Sequence, residues 1–306
     1  MRSTTLGVSG VQQPTVLTRV GAALGKSAAA WQRPECGLTT AERWLVTFTD
    51  DTSAFVKAAT DEQTAAWLRA ERAALLVAGS RFGPQIVDWI DTEEFPILVT
   101  EDLSAGHWPA GTGTVHWRPG DMENVLHDLD LLKAVPGTGL LRIPEVPAHW
   151  KALLATDALV RAGLCSPDWL SDNGQELITE DEAELRDEPR VLVHGDVRSD
   201  NLCVLPSGQT RFVDWSQAGA GHPLHDLITL LPTLRLEGGP RPSSLLTEPA
   251  VLIVRMAGAA IARALGDPHG PSWLQRVLHE LALINFQWVC DILDLAPPDG
   301  SLRLGA

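Results

Sequence analysis

Two short apolar stretches, Val191-Leu192-Val193 and Leu202-Cys203-Val204-Leu205, enclose eight mostly polar residues, His194-Gly195-Asp196-Val197-Arg198-Ser199-Asp200-Asn201. A third apolar pair, Phe212-Val213, leads directly into Asp214-Trp215. Short runs rich in β-branched residues predict strands. One is expected at residues 190–194, and a hairpin at 202–205 and 211–213 around Pro206-Ser207-Gly208-Gln209. Such a chain must carry Asp196, Asn201 and Asp214 at the ends of buried strands. Asp, Asn, Ser and Gly are also turn formers, so Asp196 or Asn201 taken alone reads as a surface turn. The apolar flanks argue against that for the set, because polar groups framed by buried strands need partners or a task.

The rest of the chain supplies a frame. Residues 1–15 are polar and small and are expected to be loose. Residues 43–49 and 54–58 predict an antiparallel hairpin across the turn signal Asp50-Asp51-Thr52-Ser53. A helix is expected over 60–78, capped by Thr60, with Trp67, Leu68, Leu75 and Leu76 as its apolar face and Gly79 as its stop. Strands are expected at 85–89 and 96–100. Residues 106–120 are rich in Gly, Pro and Trp and read as a loop near a lobe boundary, with Trp108 and Trp117 either exposed or packed against it. Beyond it, helices are expected at 122–135, 148–162, 245–265 and 272–295, and an acidic helix or turn at 180–187. The last helix repeats Leu274, Val277, Leu281, Ile284, Trp288, Ile292 and Leu295 at helical spacing. The order predicts an α+β, two-lobed plan. A small β-rich N-lobe with one main helix covers 1–103, and a larger, mostly helical C-lobe covers 104–306.

Composition narrows the function. At 44% hydrophobic and 21% charged, the 306 residues can bury a core. A net charge of −15 without a basic cluster argues against nucleic acid as partner. No apolar run approaches the length of a membrane span, and no apolar segment follows Met1-Arg2-Ser3-Thr4-Thr5-Leu6. Cys36, Cys165, Cys203 and Cys290 form no CxxC pair, which argues against zinc and suits a reducing compartment. A soluble, cytoplasmic protein acting on a small molecule is expected. No sequence feature reports its oligomeric state.

Moving a phosphoryl group from ATP requires charge neutralisation on the phosphates, a divalent metal and an oriented nucleophile. Asp196, at the start of the polar loop, can accept the proton of an acceptor hydroxyl. Asn201, at its end, and Asp214, after the hairpin, offer the oxygen ligands that Mg2+ prefers.

His-Gly-Asp-(four residues)-Asn, followed after a hairpin by Asp-Trp, resembles the aminoglycoside phosphotransferase and choline-kinase-like family, small-molecule relatives of the protein kinases. The resemblance extends over most of the chain and implies a protein-kinase-like fold. It implies Asp196 as catalytic base, Asn201 and Asp214 as Mg2+ ligands, and His194 as a structural residue bonded to backbone near the metal. It places Arg198 near the γ-phosphate, where an exposed arginine is the alternative. Asp226, in Gly221-His222-Pro223-Leu224-His225-Asp226-Leu227, would brace the loop, while His222 stands where relatives often carry Asp.

Lys57 stands out independently of that resemblance. The chain has four lysines, Lys26, Lys57, Lys133 and Lys151, and uses arginine elsewhere. A lysine between Val56 and Ala58 on a strand suits the α- and β-phosphates of ATP, with Glu71 of the next helix as its partner. Each alone reads as an ordinary surface charge. Residues 97–103 resemble the family's hinge, with the backbone of Glu101, Asp102 and Leu103 receiving the adenine. No GxGxxG is present, and Glu35-Cys36-Gly37-Leu38-Thr39-Thr40 is the candidate for the phosphate-covering loop. For a cationic acceptor the candidates are Asp291, Asp294 and Trp288, although Trp288 also lies on the apolar stripe. Two other readings stand beside a kinase of a small-molecule hydroxyl. One is a catalytically silent nucleotide- or ligand-binding member of the fold. The other is a metal hydrolase using His194, Asp196, Asp214, His222 and His225.

Overall fold

The computed structural model describes residues 3–6, 13–34, 39–91, 95–111, 114–266 and 271–304. In chain order its strands are β1 (Ser3–Leu6), β2 (Ala28–Pro34), β3 (Glu42–Phe48), β4 (Ser53–Ala58), β5 (Ile86–Ile90), β6 (Ile97–Glu101), β7 (Val191–Val193), β8 (Leu202–Val204), β9 (Thr210–Phe212) and β10 (Gly219–Gly221). Its α-helices are α1 (Thr15–Leu24), α2 (Glu62–Phe82), α3 (Asp121–Leu132), α4 (Trp150–Ala155), α5 (Ala158–Arg161), α6 (Pro167–Asp181), α7 (His225–Leu236), α8 (Ala250–Gly266) and α9 (Ser272–Ile292). The α+β class expected from the sequence holds. None of the described helices is long and apolar enough to cross a membrane.

The chain divides into two compact units, Met1–Ile143 with Pro189–Asp226, and Pro144–Glu188 with Leu227–Ala306. The first unit holds an antiparallel sheet in the order β1-β2-β3-β4-β6-β5. Period-two alternation sorts its side chains. Val46 and Phe48 of β3, Ala54, Val56 and Ala58 of β4, and Ile97 and Val99 of β6 form a core with Leu17 and Val20 of α1. Lys57 therefore stands on the opposite face. Two small ladders complete the unit, β7 with β10 and β8 with β9.

Asp61, rather than Thr60, caps α2. Its carboxylate accepts from Thr64 N at 2.8 Å, and Asp61 N donates back to Thr64 Oγ1 at 3.1 Å. An aspartate and a threonine three residues apart close a reciprocal box, while the Thr60 hydroxyl donates to Thr40 O at 3.3 Å. Gly79 breaks the helical path, with φ 63° and ψ 177°, yet one further turn continues to the buried Phe82. Residues 1–15, expected to be loose, contribute β1 and the first residue of α1.

The second unit is built of helices. Trp150 of α4, Leu159 of α5, Trp169 of α6, Val254 and Ile261 of α8, and Phe286 of α9 share one core. The Trp150 indole donates to Val254 O at 2.8 Å. Asp181, in the acidic stretch expected as a helix or turn, is buried and accepts from His149 N at 2.8 Å and Trp150 N at 2.9 Å. It thus supplies the cap that α4 lacks locally. The helix expected at 148–162 is two helices, because Asp157 adopts a left-handed φ of 49°. The one expected from 245 starts at Ala250, after Pro249, since proline lacks the N–H a helix interior needs.

Candidate active site

Lys57 of β4 donates to Glu71 Oε2 at 2.6 Å and to Asp214 Oδ1 at 2.8 Å. Glu71 stands on the buried face of α2. Burial alone would lower the Lys57 pKa, but the two carboxylates outweigh it and hold it above its ordinary value. Burial pushes Glu71 up, which its lysine partner only partly offsets. Burial also works upward on Asp214, yet Lys57 and the Ser216 hydroxyl outweigh it and keep that carboxyl below the usual range.

The polar loop leaves β7 through His194 and Gly195. Gly195 has φ 80°, and a Cβ there would lie 2.5 Å from Gln217 O. Buried Asp226 accepts from His194 N at 2.7 Å and Gly195 N at 2.9 Å. Its pKa is pushed up to about 6 by burial, against the pull of those two donors. The imidazole of His194 is fixed at both nitrogens. Nδ1 accepts from Asp196 N at 3.3 Å, so Nε2 carries the hydrogen given to Val213 O at 3.0 Å. Burial lowers its pKa to about 4, leaving it neutral near pH 7. Among the described residues, no group of three or more His, Cys, Asp and Glu side chains is placed to hold a metal ion. The five-residue hydrolase cluster is thus not assembled.

Asn201 Nδ2 donates to both the carbonyl and the carboxylate of Asp196, each at 2.9 Å. That orientation leaves its amide oxygen as an available ligand. Burial raises the Asp196 pKa, while Arg198 and Asn201 oppose the rise. Arg198 is exposed, with Nε 3.5 Å from Asp196 and 3.2 Å from Asp200. Asp214 has a left-handed φ of 64°. Trp215 after it is fully buried, lies tilted against the His194 ring with centroids 4.5 Å apart, and donates to Phe212 O at 2.7 Å.

At the end of β6, the Glu101 carboxylate accepts from Gln85 N at 2.9 Å and faces Arg211 Nε at 3.6 Å. Asp102 accepts from Ser104 N at 2.8 Å. Leu103 O accepts from Gly106 N at 3.0 Å and from the Trp108 indole at 3.2 Å. In the other unit, Trp288 is buried with its indole on Leu246 O at 3.0 Å. Asp291 accepts from Ser243 Oγ at 2.6 Å, and Asp294 is an exposed turn residue with φ 53°. Residues 35–38 of the expected phosphate-covering loop lie outside the described residues.

Arg43 is a neighbour that sequence reasoning missed. It pairs with Lys57 across the β3–β4 ladder, is buried, and donates to Ala41 O at 2.9 Å and Thr39 Oγ1 at 2.7 Å. An arginine in register with Lys57 in the predicted hairpin was the available signal.

The sequence model described as the phosphotransferase enzyme family matches residues 37–248, which include every residue from Lys57 to Asp226 discussed above. No curated protein matches the sequence significantly. Solved structures share the fold. An aminoglycoside phosphotransferase from Alicyclobacillus acidocaldarius is 14% identical, with a TM-score of 0.58 over 94% of this chain and 96% of that one. A macrolide 2'-phosphotransferase from Brachybacterium faecium is 18% identical, with a TM-score of 0.55 over 88% and 98%. A choline kinase from Streptococcus pneumoniae is 13% identical, with a TM-score of 0.54 over 88% and 96%.

Proposed function

The chain belongs to the phosphotransferase enzyme family, and from that membership we propose that it transfers the γ-phosphoryl group of ATP to a hydroxyl of a small molecule, with Asp196 as the base. The observation that carries this reading is the double engagement of Lys57, 2.6 Å from Glu71 and 2.8 Å from Asp214. One ammonium thereby sits beside the carboxylate proposed as metal ligand, on the strand proposed to meet the phosphates.

The donor set fits Mg2+, because the Asn201 amide oxygen and the Asp214 carboxylate are hard oxygen ligands and this ion takes few protein ligands. When bound, the ion would neutralise charge on the β- and γ-phosphate oxygens. Lys57 exchanges Asp214 for phosphate oxygens while Glu71 holds it in place. Asp196 accepts the acceptor's hydroxyl proton at its carboxylate, which Asn201 orients through a 2.9 Å bond. Burial lifts the Asp196 pKa toward working pH, which suits a general base. Arg198 is assigned to the transferring phosphate, and the backbone at Glu101, Asp102 and Leu103 to the base of the nucleotide.

The acceptor we propose is a cationic alcohol. Structures of this fold are named for aminoglycoside, macrolide and choline substrates. A net charge of −15 attracts a cation, and Asp291 and Asp294 are exposed carboxylates in the helical unit. A cytoplasmic setting belongs to the same reading, since it supplies ATP.

The test is ATP consumption over a panel of aminoglycosides, macrolides and amino-alcohols. Turnover with at least one acceptor is expected, and its loss in Asp196→Ala with ATP–Mg2+ binding retained. Full turnover in Asp196→Ala would remove that residue as the base. ATP binding without turnover on any acceptor would favour the catalytically silent reading.

A further inference from the structure

The carbonyl of Leu103 is closed to a ligand. Gly106 N reaches it at 3.0 Å, the Trp108 indole N–H at 3.2 Å, and the Cys203 thiol at 3.7 Å. A carbonyl oxygen has two lone pairs, and two N–H donors occupy them. The turn is tightly built, because a Cβ on Gly106 would lie 2.2 Å from Cys203 Sγ. Glu101 differs. Gln85 N gives its hydrogen to the Glu101 carboxylate at 2.9 Å, so it does not pair with the Glu101 carbonyl.

We propose that this closure makes the nucleotide site selective for adenine over 6-oxopurines, with Trp108 as the residue that sets the selectivity. The inference rests on the reading that residues 101–103 receive the base. Adenine presents an N6–H donor beside the N1 acceptor. The complement is an acceptor followed by a donor, which the Glu101 carbonyl and the Leu103 N–H provide. A 6-oxopurine presents the O6 acceptor beside an N1–H donor. Its complement is a donor beside an acceptor, as one residue offers through its own N–H and C=O. At Leu103 that acceptor is already taken, so a 6-oxopurine seated there buries an N1–H without a partner. Sites reject a ligand most strongly when a buried polar group is left unpaired.

The test compares ATP with inosine triphosphate, which carries the same phosphates and a ring of the same size but the opposite edge pattern. Affinities are measured calorimetrically on the full chain with Mg2+ and no acceptor. Wild type is expected to bind ATP about tenfold more tightly, the worth of one ordinary hydrogen bond. Trp108→Phe keeps the ring and removes the indole N–H. It is expected to retain ATP affinity and to bind inosine triphosphate several-fold more tightly. Equal wild-type affinities overturn the proposal without any variant. So does a Trp108→Phe protein that binds ATP normally with an unchanged preference. Failure of both nucleotides to bind would instead overturn the site reading on which the proposal rests.

Discussion

Lys57 and Asp214, 157 residues apart in the chain, meet at 2.8 Å across the first unit. The lysine's other contact, Glu71, is almost wholly buried. The ammonium thus offsets part of the upward push of burial on Glu71 and outweighs it on Asp214.

Replacing Lys57 by Met should strand Glu71. Removing one partner of a buried pair costs about 3–5 kcal/mol, unless the carboxylate takes up a proton. The variant should therefore be less stable at pH 8 than at pH 6, and Lys57→Met/Glu71→Gln should regain the lost melting temperature. Turnover should fall about a hundredfold in both variants, as when a preorganised charge contact is removed. Melting curves at the two pH values and kcat/KM for ATP check this, and unchanged ATP kinetics would take Lys57 out of the site.

His194 and Asp226 respond to acid in opposite senses. Asp226 has a native pKa of about 6 against an ordinary 3.8. Its native carboxylate is a liability above pH 6, and that liability is relieved as pH falls toward 4. His194 has a native pKa of about 4 against an ordinary 6.5. Its neutral form gives stability that is complete above 6.5 and lost as pH falls toward 4. Each contribution is about 3 kcal/mol, so in wild type they nearly cancel. Asp226→Asn removes one side. Urea unfolding between pH 7 and 4 should show the variant losing about 3 kcal/mol more than wild type. Parallel profiles would refute the assignment.

Asp61→Ala should lower the melting temperature by about 2–4 °C, through loss of the cap on α2. The Asp61 carboxylate also accepts from the Thr40 hydroxyl at 2.9 Å, so Asp61→Asn, which keeps an acceptor, should recover most of the loss. Calorimetry of the two variants decides it.

Gly195→Ala should cost about 1–3 kcal/mol for the left-handed backbone. The added carbon also meets Gln217 O at 2.5 Å. Because Asp196 follows directly, turnover should be lost while the protein still melts cooperatively. A variant with normal kinetics would show that the loop tolerates the shift.

Local chemistry made much of the site legible in the sequence. The polar loop with its apolar flanks, the β3–β4 hairpin and the Lys57–Glu71 pair all follow from neighbours along the chain or from one strand and the next helix. Other elements carried no such signal. β2 opens with Ala28-Ala29-Ala30 and β10 is Gly-Ala-Gly, residues with little strand preference that become strands only through their partners. α7 contains Pro232, which masks a helix in any propensity reading. α6 starts at a Ser166 cap with proline in its first turn, but its mixed face hides the helical period. Asp181 took its role from a contact with Trp150, 31 residues away, a relationship that exists only once the chain has folded.

The first unit is discontinuous, with residues 144–188 inserted into it before it resumes at Pro189. During synthesis the sheet bearing Lys57 and the helix α2 bearing Glu71 can therefore form before Asp196, Asn201, Asp214 and Asp226 have been translated. Domains tend to fold as they emerge, and this one must wait through an excursion into its neighbour. A nascent chain interrupted within that interval would carry Lys57 and Glu71 but none of Asp196, Asn201, Asp214 and Asp226.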